Sequence, residues 1–185
     1  LVTQLKNQDP LNPMDNAQMT SQMAQISTVE GIDKLNATLK MILEGSNENQ
    51  AMQAAAMVGH GVLVPGSGLA LSGGMAIGGI ELAEPADRVT VTIKDASGIA
   101  VRTLELGGSE AGSHGIAWDG KTDGGAQAAD GAYSISVSAQ RGNAKVGAKA
   151  LELGMVSSVV RTSDGVSLNV GALGAFRMSD IRQIL

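Results

Sequence analysis

The chain has 185 residues, 43% of them apolar, with 25 glycines and only three aromatic rings, those of Trp118, Tyr133 and Phe176. This length suits one ordinary domain or two small ones. Thirteen Lys+Arg against eighteen Asp+Glu leave a net charge of −5, so there is no basic field for phosphates or anionic lipid, and neither nucleic acid nor a membrane surface is an expected partner. With no cysteine and only His60 and His114, disulfide frameworks, thiolate metal sites and a three-histidine zinc site are excluded, and no metal or cofactor is expected.

The first 58 residues are rich in Gln, Asn and Met, contain only Gly31 and Gly45 as glycines, and read as helical. Asn12-Pro13-Met14-Asp15-Asn16 supplies a turn and an N-cap, so a helix is expected to begin near Asn16. Apolar residues follow at Met19, Met23 and Ile26, then at Ile32, Leu35, Leu39 and Ile42, in the steps of three or four that mark one helical face. The two sets do not join. From Ile26 to Ile32 the chain turns about 120° short of two full turns, and Gly31, costing about 1 kcal/mol against alanine, lies in that gap. A kink is expected there, or two stripes facing different partners.

A single helix from Asn16 to Glu44 is about 44 Å long, and no second helix of that length is available to cover its stripe. Those seven apolar residues are therefore the candidate partner interface. Gly45-Ser46 is expected to break the helix, with Ser46 and Asn49 opening a shorter, alanine-rich one that stops at Gly59. The apolar stretch 51–65 is interrupted by Gln53, Gly59, His60 and Gly61 and is too short for a membrane span. The chain begins at Leu1 rather than methionine, so its native start is expected upstream and a cleavable leader cannot be judged from it.

Beyond Gly61 the period becomes alternating, most clearly in Val89-Thr90-Val91-Thr92-Ile93 and Tyr133-Ser134-Ile135-Ser136-Val137, as half-buried antiparallel strands require. Ser97-Gly98, Gly107-Gly108, Asp119-Gly120, Asp123-Gly124, Asp130-Gly131, Gly142-Asn143 and Asp164-Gly165 are turn signals between such runs. Strands within 75–140 suffice for a sandwich, and 151–185 offers four more short ones. The isolated run Gly61-Val62-Leu63-Val64-Pro65, followed by Gly66-Ser67-Gly68, which reads as a flexible linker, could pair with those C-terminal strands and leave the sandwich as an insertion.

Three formal motifs fail on context. Gly115 to Thr122 satisfies the phosphate-loop pattern, but that loop needs an apolar strand before it and a helix after Lys121-Thr122, and Asp119 would set a carboxylate beside a polyphosphate. Asp119, Asp123, Gly124 and Asp130 match positions of a calcium loop, yet Lys121 stands where an oxygen ligand is required. A hydrolase triad of Ser113, His114 and Asp119 fails because Ser113 and His114 alternate on a strand and point to opposite faces, so His114 is expected to be an exposed strand residue and His60 a helix-end residue. Trp118 and Tyr133, each beside an Asp-Gly turn, are expected to anchor a core.

The segment Leu1-Val-Thr-Gln-Leu-Lys-Asn-Gln-Asp-Pro-Leu-Asn-Pro-Met-Asp-Asn-Ala-Gln-Met-Thr-Ser-Gln-Met-Ala-Gln-Ile-Ser-Thr-Val-Glu-Gly31 resembles the N-terminal signature of the FlgD-type flagellar hook-capping family. Trp118-Asp119-Gly120-Lys121 with Asp130-Gly131-Ala132-Tyr133 is similar to that family's immunoglobulin-like domain. Gly154-Met-Val-Ser-Ser-Val-Val, Gly165-Val-Ser-Leu-Asn-Val and Ser179-Asp-Ile181 resemble its Tudor-like strands. The resemblance implies a mainly β fold with an N-terminal helical arm (1–45), a Tudor-like barrel with a short helix (46–66 and 144–185) and an inserted fibronectin- or immunoglobulin-like sandwich (67–143). Trp118, Asp119, Gly120, Gly131 and Tyr133 would be its structural anchors.

It further implies a non-enzymatic, homo-oligomeric scaffold at the distal tip of the growing flagellar hook, exported through the flagellar type III apparatus. That scaffold would promote ordered polymerisation of hook subunits. The alternatives are an extracellular β-sandwich adhesin or carbohydrate-binding module and, as a minor one, a nucleotide hydrolase using the Gly115 to Thr122 loop.

Overall fold

The computed structural model describes residues 13–162 and 165–185; Asn12, the first twelve residues of the N-terminal signature, and Asp164 lie outside them. Among the described residues one α-helix, α1 (Pro13–Ala56), is followed by twelve strands: β1 (Gly61–Pro65), β2 (Gly68–Leu71), β3 (Ala76–Leu82), β4 (Ala86–Lys94), β5 (Ala100–Ser109), β6 (Gly112–Trp118), β7 (Gly131–Arg141), β8 (Ala144–Val146), β9 (Ala148–Thr162), β10 (Gly165–Val170), β11 (Ala175–Arg177) and β12 (Gln183–Ile184). The chain divides into two compact units, Leu1–Glu48 and Asn49–Leu185.

The expected break at Gly45-Ser46 does not occur, and neither does the separate short helix opened by Ser46 and Asn49. Helix α1 runs through both Gly31 and Gly45 for 44 residues, and its first helical residue is Pro13 rather than Asn16. Proline suits the first helical position, because its missing amide is one that has no intrahelical partner there. Two interior glycines cost about 1 kcal/mol each, a sum that dozens of consecutive backbone hydrogen bonds between good helix formers can absorb. The helix ends at Ala56, and Gly59 (φ +86°) turns the chain while donating its amide to the Val156 carbonyl at 2.8 Å.

All strand pairs are antiparallel, and β9 organises them. It was expected among the short strands of 151–185, but it is 15 residues long and begins at Ala148. Residues 148–152 pair with β3, residues 151–155 with β1, and residues from Val156 to Thr162 with β10. Strand β1 also pairs with β12, so the isolated run 61–65 does join the C-terminal strands. The path β11-β10-β9-β1-β12 makes a nearly closed, barrel-like sheet. Strands β6, β3 and the first third of β9 face a second sheet ordered β2-β7-β4-β5, with β8 on β7.

Each layer pair encloses its own core. Leu69, Leu71, Ile80, Val89, Val91, Ile93, Ile116, Trp118 and Ile135 fill the sandwich. Val62, Val64, Val156, Val166, Leu168 and Val170 fill the barrel, where Ala54 and Met57 from the end of the helical segment join them. The continuous apolar run in β1 now has its reason: Val62, Leu63 and Val64 are all fully buried, so both faces of this strand are covered. Gly79 on β3 makes room for the middle one, since a Cβ there would lie 2.7 Å from Leu63 Cδ1 and 3.1 Å from the His114 carbonyl oxygen.

Gly66-Ser67-Gly68 is not the flexible linker its composition suggests. The Gly66 amide donates to the Ala150 carbonyl at 3.3 Å, the Ser67 carbonyl accepts from Ile135 at 2.8 Å, and the Gly68 amide donates to Glu152 Oε2 at 2.9 Å. A Cβ at either glycine would collide with the Glu152 side chain, so the two glycines let this carboxylate sit on the connection between the barrel strand β1 and the sandwich strand β2.

Candidate assembly surface

Every one of the seven helix residues singled out by periodicity is unburied: Met19, Met23, Ile26, Ile32, Leu35, Leu39 and Ile42 are 38–65% exposed. Val29, Met41 and Leu43, which the stepping pattern skipped, are equally exposed apolar residues of the same helix. Because α1 is uninterrupted, angles along it can be summed. Met19, Met23 and Ile26 centre on a direction about 170° away from that of Ile32, Leu35, Leu39 and Ile42, so the helix carries two apolar faces on opposite sides. Val29 and Ile32 step from one face to the other along the i, i+3 row.

Trp118 lies within the sandwich core and Tyr133 packs against it. Trp118 is 1% exposed, donates its indole N–H to the Lys121 carbonyl at 2.8 Å, and meets Tyr133 edge to face with centroids 5.0 Å apart. The half-buried Tyr133 donates its hydroxyl to the Ala129 carbonyl at 2.7 Å, four residues back, which pins the turn before β7 to the sheet. This corner resembles the tyrosine corner of immunoglobulin-like sandwiches. Gly120 (φ +70°) and Gly131 (φ +156°) flank the turn that connects the two rings. His114 is half-buried rather than exposed, its Nε2 lying 2.7 Å from the Glu110 carbonyl oxygen.

The aspartates of the would-be calcium loop are committed to separate backbone amides. Asp119 accepts from Lys121 N at 3.1 Å, Asp123 from Thr103 N at 3.2 Å, and Asp130 from Gly73 N at 2.9 Å. Among the described residues no three His, Asp or Glu side chains stand close enough to share a cation. The phosphate-loop match falls on strand: Gly115 lies within β6, Lys121 bridges to Gln127, and the next regular element after Thr122 is β7 rather than a helix. The amides of Lys121 and Thr122, which a phosphate would need, are given to Asp119 Oδ1 and the Ala126 carbonyl instead. Among the described residues no helix is long and apolar enough to cross a membrane.

Residues 1–41 match the family described as the N-terminal region of the flagellar hook capping protein, and residues 66–143 match the FlgD Ig-like domain. The chain is 42% identical to the basal-body rod modification protein FlgD of Escherichia coli K12, over all of this chain and 84% of the relative. It is 43% identical to that of Salmonella typhimurium, over all of this chain and 83% of the relative. The crystal structure of FlgD from Xanthomonas campestris aligns at a TM-score of 0.56 and 33% identity, covering 74% of this chain and 99% of that one. The helical arm, the immunoglobulin-like sandwich and a likeness that runs the full length of the chain agree, and the chain belongs to the FlgD family of flagellar hook-capping proteins, structural components of flagellar assembly and not enzymes.

Proposed function

We propose that this protein is the scaffold that caps the distal end of the growing hook, where it retains emerging hook subunits and promotes their ordered polymerisation. It reaches that site through the flagellar type III route and acts as a homo-oligomer. The observation that carries this reading is the pair of unburied apolar faces on opposite sides of α1. A surface helix with one stripe serves one neighbour; two opposed stripes serve two, as a closed ring or plate of identical subunits needs. Met19, Met23 and Ile26 of one subunit then meet Ile32, Leu35, Leu39 and Ile42 of the next, and the β units form the body of the cap. Support also comes from the Xanthomonas campestris relative, whose hook capping is described as essential for flagellar assembly.

The test is made in flagellated cells that lack their own copy of the protein. The intact chain restores hooks, whereas a variant with Leu35 and Leu39 changed to serine is exported, leaves hook subunits in the medium and builds no hooks. Normal hooks from that variant would refute the assignment of the interface. Normal hooks in cells with no cap protein would refute the function itself.

A further inference from the structure

Strand β5 lies at the edge of its sheet, and among the described residues it pairs with β4 alone. An unpaired strand edge is a template for another strand. The first part of this edge is covered, and what covers it is the Asp-rich turn that looked like a metal loop. Asp123 N donates to the Val101 carbonyl at 2.9 Å, and the Asp123 carboxylate accepts the Thr103 amide at 3.2 Å. Arg102 lies between them with Nη1 3.6 Å from Asp123 Oδ1 and 3.4 Å from the Thr122 carbonyl oxygen. Three backbone hydrogen bonds close the turn in this pose: Thr122 N donates to Ala126 O, Gly125 N to Thr122 O and Ala128 N to Gly120 O, all at 2.8–2.9 Å.

Asp123 thus occupies the acceptor and donor that an incoming strand would use first. We infer that Asp123 guards the β5 edge and keeps two copies of this chain from pairing through β5 in antiparallel register. A second copy is the fitting intruder, because an edge strand is self-complementary about a two-fold axis and every copy carries the same one. The guard stops at Thr103. In the alternation of an antiparallel strand the amide of Glu105, two residues on, faces the same edge, where among the described residues no further strand pairs, so the uncovered part can propagate pairing once the covered part is released.

The experiment uses the full chain in sedimentation velocity over a concentration series. Asp123→Ala should raise the self-association constant at least tenfold over the unchanged protein. Adding Glu105→Pro, which removes an amide from the free edge and none from the ladder with β4, should return it to the starting value. Unchanged association in Asp123→Ala overturns the inference, and so does association that persists in the double variant, since it would then run through another surface. Hydrogen exchange on the unaltered chain tests the guard without any substitution: the Thr103 amide should exchange at least tenfold more slowly than that of Glu105, and equal rates overturn the inference even if Asp123→Ala fails to fold.

Discussion

The sharpest prediction concerns the two faces of α1. Leu35 is 65% and Leu39 58% exposed, so each has more than half of its surface still to lose in a contact. Fully burying a leucine is worth about 1.5–3 kcal/mol, and closing the part still exposed is worth about 1–2 kcal/mol per residue, or about 2–4 kcal/mol for the pair. Changing both to serine should therefore weaken subunit association about 30- to 700-fold in Kd. The folded monomer should lose only the helix-propensity difference, a few tenths of a kcal/mol per site. Sedimentation velocity reads the first quantity and thermal unfolding by circular dichroism the second. Met19 and Met23 changed to serine should act in the same way on the opposite face. An equimolar mixture of the two double variants retains one intact contact between unlike partners and should stop at a dimer. Association unchanged in both variants would refute the reasoning, since these side chains would then lie in no contact between subunits; so would a fall in melting temperature like that of a core truncation, which would mean that they are buried within one chain.

Other consequences follow from single contacts in the β part and the helix. Glu152→Ala removes the charged acceptor of the Gly68 amide and should cost about 1.5–3 kcal/mol, whereas Glu152→Gln, which keeps an acceptor, should cost less than half as much; denaturant titration of the two variants checks the ratio. Tyr133→Phe deletes the hydroxyl that bonds the Ala129 carbonyl and should cost about 0.5–1.5 kcal/mol, seen as a fall of about 1–6 °C in melting temperature. Gly154→Ala should destabilise by about 1–3 kcal/mol, because the new Cβ would overlap Val170 and lie 2.8 Å from Leu173 Cδ1. Gly45→Ala meets open space on α1 and should instead stabilise the helix by about 0.8–1 kcal/mol, read as a higher melting point of the helical signal.

What could be read along the chain is what local chemistry controls. The helical and alternating periods, the Asp-Gly turns and the apolar stripe all depend on neighbours within a few residues, and the strands at 89–93 and 133–137 and the exposed helical stripe stand where expected. The exposure of the stripe followed from a count: among the described residues no other helix is long enough to cover it. The continuity of α1 was not legible, because Gly31 and Gly45 have the local preferences of helix ends and only the length of the whole helix outweighs them. Its continuity is also what turns two stripes into two opposed faces.

The assignments that join distant residues belong to the tertiary structure. Glu152 is one carboxylate in an alternating strand, with nothing in its neighbourhood to mark it as the partner of Gly68, 84 residues earlier. Asp123 carried the pattern of a metal ligand, and only the position of β5 beside it makes it an edge cover. The composition that excluded thiolate and three-histidine metal sites and left nucleic acid and a membrane surface as unexpected partners, and the stripe that called for a partner, were determined by the sequence itself. Which strand of 148–162 would serve both the sandwich and the barrel, and which side chains would hold the joint, were decided in three dimensions. Antiparallel pairing is paid for by burial and hydrogen bonds between segments whose separation along the chain leaves no trace in their local pattern.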